Sequence, residues 1–466
     1  MMRTLRSRRF FDWTLLPAVL SLAWPTMLEQ IMQTAVQYVD TAMVGSLGTS
    51  ATAAVGSTTT VNWLIGSTVH AFGVGFLAYI SQALGAGEKD RARRAAAQSV
   101  LEVLVSGIVL TAATLSLSRL VPVWMQVDES IQDLAAGYFF ILYLPMLPRA
   151  ASVIFGTVLR AAGDTKTPMR VGIWVNVINV VLNFLLIFEP RTVTLFGRAV
   201  PLWGAGWGVL GAAAASAVSL TFGGAAITLA LFRHGEISPR GVSIRPEKAV
   251  LIPCLRVAFP NMLQRFASSL GYVAFAAMIN SLGEVSTAAH TIANTVESAF
   301  YIPGYGMQTA AATLTGNAIG AKDPRRLRDQ ARLILLVESV LMLLSGALLF
   351  AFAPAMVGIF SRDAAVIRLG STVLRMVACS ELFYGVFVVI EGMLQGAGQT
   401  KIPFFFNVIG MWGVRIVGTF LFTRILGFGL VSAWGCMIGH NMLLFVLYTV
   451  YYLRGRWNPL RSSPAE

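Results

Sequence analysis

Ala162-Gly163-Asp164-Thr165-Lys166-Thr167-Pro168 is answered 235 positions later by Ala397-Gly398-Gln399-Thr400-Lys401-Ile402-Pro403. Each segment follows one long apolar run and opens another. The same register holds on the N-terminal side of them. Pro25 meets Pro260, Ser46-Leu47-Gly48 meets Ser281-Leu282-Gly283, and Thr52-Ala53-Ala54 meets Thr287-Ala288-Ala289. Gln82-Ala83-Leu84-Gly85-Ala86 meets Asn317-Ala318-Ile319-Gly320-Ala321, with a basic loop after each. Chance matches between apolar helices are common, because their alphabet is small. A gapless register through five helices, including Thr-Lys-x-Pro, is not such a match, and it marks the chain as a duplication. The register shifts only around Glu189–Trp203. Beyond it Gly206-x-Gly208-Val209 meets Gly427-x-Gly429-Leu430 at an offset of 221.

The runs between these markers decide the class. Each is about 20 residues or more, enough to cross roughly 30 Å of hydrocarbon as a helix. The 466-residue chain is 56% hydrophobic and 12% charged, where soluble domains carry about 45–50% and about 25%. Strand-type alternation is not its pattern, which argues against a β-barrel. Spans are predicted over 14–44, 53–84, 95–118, 132–160, 168–188, 205–232, 250–282, 287–319, 330–354, 366–395, 403–425 and 428–453. The fold expected is an all-α polytopic membrane protein with twelve transmembrane helices in two six-helix bundles. Each half holds an even number of spans, so the halves share one topology about a pseudo-twofold axis along the membrane normal. Two such bundles can rock about a cleft near the midplane, the arrangement of a transporter.

Arg3, Arg6, Arg8 and Arg9 precede an apolar stretch too long for a signal peptide, so an uncleaved first span with a cytoplasmic N-terminus is expected. Most of the 35 Lys and Arg then fall on cytoplasmic segments. Arg119, Arg191, Arg198, Arg362, Arg368 and Arg424 lie on the other side, and Arg149, Arg265, Arg375 and Arg415 within spans. This is the positive-inside pattern, with both termini cytoplasmic and the chain multi-pass in the plasma (bacterial inner) membrane. His234–Lys248, with Pro239 and Pro246, is the longest polar link. It divides the chain into bundles 1–235 and 250–466 with a linker at 236–249.

The net charge of +13 sits in short juxtamembrane clusters such as Lys89–Arg94 and Lys322–Arg328. They read as topology and lipid-surface determinants, not as nucleic-acid sites. No Gly-x-x-x-x-Gly-Lys is present, so ATP is not the expected energy source. Cys254, Cys379 and Cys436 suggest neither disulfides nor a metal site, and His70, His290 and His440 have no metal spacing. No nucleophile converges with a base at one depth, so an intramembrane enzyme is a poor reading.

Asp40 lies one turn inside the outer end of span 1, without a basic neighbour in sequence. A carboxylate inside a membrane helix costs on the order of 3 kcal/mol on insertion scales, which makes it a functional candidate; the bland alternative is a helix end frayed into solvent. Glu29, Gln33 and Gln37 precede it by 11, 7 and 3 residues, which places all four on one stripe at about 100° per residue. Pro25 removes a backbone hydrogen bond and is a candidate hinge. Asn176, Asn179 and Asn183 share one face of span 5, which runs outward as span 1 does. Asn179 and Asn183 are expected to hydrogen-bond Asp40; Asn176 reads equally well as an interhelical contact. Phe275 is the repeat partner of Asp40, so the acid is not duplicated. Arg149, between Pro145 and Pro148, is expected to balance an acid such as Glu29 or to contact substrate. Glu381 and Arg415 are expected to pair across spans 10 and 11, with gating or contact to an anionic substrate as the sharper alternative. Glu102 and Glu338 read as contacts with the basic loops.

Pro25-Thr26-Met27-Leu28-Glu29, Val39-Asp40-Thr41 through Gly48, Gln82 through Gly87 and Leu159-Arg160 through Pro168 together resemble the multidrug and toxic compound extrusion (MATE) family, over residues 15–450. The DinF-like branch is the better match. NorM-like members carry acids in spans 7 and 10, where this chain has Ser268 and Tyr384. The DinF-like first-span Asp matches Asp40, and its fifth-span Asn-x-x-x-Asp reads Asn179-Val180-Val181-Leu182-Asn183 here. The second acid has become an amide, which weakens a two-carboxylate sodium site and leaves a proton site. The resemblance implies a secondary antiporter that exports amphipathic, often cationic organic compounds in exchange for protons, with sodium the second choice. Asp40 would couple, and Arg149, Tyr384, Glu381 and Arg415 would serve substrate or gating. No cofactor or metal, no ATP and no nucleic acid is expected; the partners are a small organic substrate and membrane lipid, and the chain should act as a monomer. The alternative is a flippase for a lipid-linked or anionic amphipathic substrate, which would place Arg149 and Arg415 on the cavity wall.

Overall fold

The computed structural model describes residues 11–195 and 198–461. Arg3, Arg6, Arg8 and Arg9, on which the cytoplasmic N-terminus rests, lie outside the described residues. Twelve spans follow in order: α1 Leu16–Gly45, α2 Thr49–Gly85, α3 Lys89–Leu117, a bent α4 of Glu129–Tyr143 and Met146–Ala161, α5 Lys166–Leu186 and α6 Gly208–Arg233. The second set is α7 Lys248–Asn280, α8 of Glu284–Phe300 and Ile302–Gly320, α9 Pro324–Phe360, a bent α10 of Ala364–Ala378 and Glu381–Gly396, α11 Lys401–Ile425 and α12 Leu430–Leu453. Some of these helices start on an aspartate cap. Asp323 accepts from the amides of Arg325 and Arg326, and Asp363 from that of Ala365, which satisfies donors that a helix leaves open.

The duplication recurs in backbone geometry. Gly48 and Gly283 take φ of 110° and 103°, and Gly163 and Gly398 take 83° and 75°. These left-handed turns are open to glycine at no steric cost, which explains two of the repeated motifs. The bends recur as well: α4 turns by 51° and α10 by 52°, at repeat-equivalent positions 144 and 379. Pro145 accounts for the first. Cys379–Ser380 has no such residue, and nothing local in the sequence announces that bend.

Three further features differ from the sequence expectation. Spans 4, 8 and 10 are broken where continuous helices were expected. Residues 409–416 and 421–425 of α11 are π-helical, a geometry frequent at functional sites. Between α5 and α6 the chain is not wholly helical: Arg191–Leu195 and Arg198–Leu202 pair as an antiparallel hairpin. Alternation in Arg-Thr-Val-Thr-Leu suits a strand, but five residues are too few to stand out beside the apolar runs.

The chain divides into two compact units. One comprises Leu28–Ile80 and Lys89–Ser269, the other Met1–Met27, Ser81–Glu88 and Leu270–Glu466. The second unit explains a third repeated motif. A Cβ on Gly85 would run into the Asn317 carbonyl, and one on Gly320 into the Gln82 carbonyl. The two copies of Gln/Asn-x-x-Gly therefore cross each other, each glycine letting the other helix's backbone approach, as small residues do in membrane interfaces. The Gln82 side chain adds a 2.8 Å hydrogen bond to the Gly396 carbonyl.

In the first unit the linker is held against the start of α3. The Arg93 guanidinium donates to the carbonyls of Ser238 and Arg240 at 3.0 and 2.9 Å, and buried Gln98 bonds the Arg245 carbonyl and the Glu247 amide. Lys89 pairs with Glu236 at 2.9 Å, and that hydrogen bond holds the Glu236 carboxyl below its ordinary range. Both groups are about half exposed, so Lys89→Ala should change stability by less than about 1 kcal/mol in thermal unfolding.

Candidate ion- and substrate-binding cavity

Within the first unit the polar stripe of α1 faces a cavity of about 710 Å³ lined by Gln33, Gln37 and Asp40. The stripe faces inward because turning it toward lipid would strand three polar side chains in hydrocarbon. Asn183 on α5 meets Asp40 there: its side-chain amide donates to the Asp40 carboxylate at 2.5 Å. The contact continues to Asn179, which accepts from Asn183 and donates to Ser216 of α6, each at 3.1 Å. Asn179 thus stands behind Asn183. Asn176 is buried one turn further along, and its Nδ2 has no hydrogen-bond partner.

Of the rest of the wall, sequence reasoning singled out Arg149 as a substrate contact, but not Tyr138, Asn62, Trp63 or Arg265. Tyr138 and Arg149 enter from α4, Asn62, Trp63 and His70 from α2, and Arg265 from α7. Trp63 is 58% exposed. Arg149 does not balance Glu29. Its guanidinium lies 5.1 Å from the Tyr143 ring centre, and its Nη1 is buried without a hydrogen-bond partner. Glu29 pairs instead with Arg160 at 2.6 Å, both largely buried. The pair holds α1 to α4 and does not line the cavity. Arg160→Met would leave a buried carboxylate without its cation and should cost about 3 kcal/mol or more in detergent thermal unfolding. The double variant with Glu29→Gln should recover part of that loss.

The second unit contains the other candidates, in a different arrangement from the one expected. Glu381 and Arg415 do not pair. The Arg415 guanidinium lies over the rings of Tyr272 and Phe275, at 4.8 and 4.2 Å, with the Met437 sulfur 3.1 Å away. A cation on aromatic faces is partly compensated without an acid. Glu381 and Glu338 are 1% and 0% exposed, and their carboxylate oxygens carry no hydrogen-bond partner. Glu338 is therefore no contact to a basic loop; it packs against Gly304 and Gly385, where side chains would collide with it. Glu297 of α8 is buried beside them and accepts from Tyr301, whose ring stacks on Tyr384 at 3.9 Å. Glu338 and Glu381 were legible one at a time, but the convergence of three buried acids on three successive spans was not.

The pattern of known families settles what kind of molecule carries this cavity. The MatE family matches residues 25–185 and 260–421, once in each repeat. The chain belongs to that family. A probable multidrug resistance protein NorM of Thermotoga maritima is 27% identical over 439 residues, 94% of this chain and 92% of that protein. The probable multidrug resistance protein YpnP of Bacillus subtilis is 26% identical over 97% of this chain and 98% of its own length. Among solved structures, a MATE transporter in complex with MaL6 superposes with a TM-score of 0.87 at 22% identity, covering 96% of this chain and 97% of that one. A MOP superfamily transporter of Pyrococcus furiosus, described for the reverse polarity of its binding pocket, gives 0.86 at 22% identity, with 96% of both chains covered. These two share the fold of this MatE chain. It is an integral membrane transporter with the duplicated twelve-helix architecture, and MatE transporters are not enzymes.

Proposed function

We propose that this MatE chain is a secondary antiporter that exports amphipathic organic compounds in exchange for protons, with Asp40 as the coupling carboxylate. One observation carries the reading: Asp40 stands on a cavity wall, held by the Asn183 amide, where a carboxylate can trade a proton for a cationic group. The membrane potential adds about 2.3 kcal/mol per charge per 100 mV to such exchange. Multidrug export is supported by the names of the relatives. The DinF-like assignment rests on the Asp40–Asn183 contact and on Tyr384 standing where NorM-like members have an acid. A bacterial inner-membrane location with both termini cytoplasmic, a monomeric working state and the absence of any cofactor complete the proposal.

Proton coupling is favoured over sodium because the second group at the site is an amide, a neutral donor that cannot share a metal cation's charge as a carboxylate does. Asn183→Asp should therefore introduce a sodium dependence. The test is dye exchange in proteoliposomes with an imposed pH gradient, with and without sodium, using ethidium as the amphipathic cation. Wild-type exchange should follow the pH gradient and ignore sodium. Exchange that needs sodium and ignores pH would reject the proton reading.

Arg149 and Arg265 on the same wall favour a second reading, a substrate that also carries an anionic group, as a lipid-linked precursor does. Arg415, the other cation that the flippase alternative calls for, is buried on Tyr272 and Phe275. An anionic amphipathic dye run beside ethidium separates the two readings.

A further inference from the structure

We propose that α3, α4 and α6 form a binding groove for a phospholipid with an anionic headgroup, its acyl chain lying along the helices and its phosphate held by Arg240. The groove has two stretches. One of about 940 Å³ runs past Ile108, Pro145 and Phe222, and one of about 630 Å³ past Leu104, Phe155 and Leu229. They adjoin, with Leu147, Pro148 and Thr221 on the walls of both. None of these residues lines the Asp40 cavity, and the inference does not depend on the antiport reading.

The sequence builds this groove locally. The 51° bend of α4 lies at the groove, with Pro145 and Pro148 on its wall. Gly224 lets α6 touch the Pro148 backbone, where a Cβ would collide. Along the walls the hydroxyls of Thr111, Thr221 and Thr228 donate to carbonyls of their own helices, at 2.6, 2.7 and 2.6 Å. Those donors are spent, so the groove suits hydrocarbon. At one end the chemistry changes abruptly. Arg240 lines the groove, and its guanidinium has no hydrogen-bond partner among the described residues. The residue is fixed through its backbone, whose carbonyl accepts from Arg93 and whose N–H donates to Ser238. Of the cations at the start of α3, Lys89 pairs with Glu236 and Arg94 with Glu247. A hydrocarbon slot with a guanidinium at one end matches an acyl chain whose headgroup is net anionic: the guanidinium can bind the phosphate in bidentate fashion, and in a zwitterionic headgroup the lipid's own ammonium competes for it.

Native mass spectrometry of the full-length protein in detergent tests this, with phosphatidylglycerol and phosphatidylcholine titrated separately. Wild type should bind phosphatidylglycerol about tenfold more tightly. Arg240→Ala should lose that preference and retain the weaker binding. Ala225→Trp, which fills the groove from an exposed position, should weaken both lipids; Leu104→Trp does the same from α3 and replaces it if the first variant unfolds. Equal binding of the two lipids by wild type, an unaltered preference in Arg240→Ala, or unaltered binding in the groove-filling variants would overturn the proposal.

Discussion

Asp40→Asn is expected to reduce pH-driven dye exchange in proteoliposomes to the level of protein-free vesicles, while the protein remains folded and monodisperse. The substitution preserves the size of the side chain and keeps an oxygen facing Asn183, which donates to Asp40 in the wild type. What it removes is the ability to carry a negative charge in one half of the cycle. An amide cannot release a proton to make room for a cation, so the exchange loses its return step even where the cavity still admits the dye. Dye binding measured without a gradient should persist, weakened for cations. Asn183→Ala is expected to be milder, because it removes one donor from the carboxylate and leaves the carboxylate itself.

Gly320→Ala should have the largest effect on folding. Its Cβ would collide with the Gln82 carbonyl, and in Gly85→Ala the Asn317 carbonyl receives the new atom. Backbone cannot step aside as a side-chain tip can, and α2 and α8 would have to separate along their crossing. Overpacking of this kind costs about 3 kcal/mol or more, since the carbonyls are held in their own helices. Size-exclusion profiles in detergent should show loss of the monodisperse peak for either variant. Gly45→Ala, where a Cβ meets nothing within 4 Å, is the matched control and should behave as wild type.

These two sites show what the sequence carries and what it withholds. The repeat from Pro25 to Pro403 was legible because its markers are not apolar and recur in register. The structure gives them physical reasons: left-handed turns at Gly48, Gly163, Gly283 and Gly398, and a reciprocal crossing at Gly85 and Gly320. The stripe from Gln33 to Asp40 was legible because helical periodicity puts polar residues on one face, and a membrane forbids that face to lipid. Partner choice was not legible, because it depends on how each helix is rotated. Glu29 finds Arg160 rather than Arg149, and Arg415 finds aromatic rings rather than Glu381, though all of these groups lie within spans. Glu338 looked like a loop contact only because it lies near an end of its span; packing between α8 and α10 buries it. The α10 bend at Cys379–Ser380 and the π-helical stretches of α11 have no marker in the local sequence.

Proton release on substrate binding is the most direct measurement of the central claim. Purified protein in weakly buffered detergent is mixed with ethidium at neutral pH, and released protons are counted with an indicator. The account predicts release of about one proton per bound cation, scaled by the fraction of Asp40 protonated before mixing, and none from Asp40→Asn. Equal release from both proteins would contradict it and move the coupling to another group.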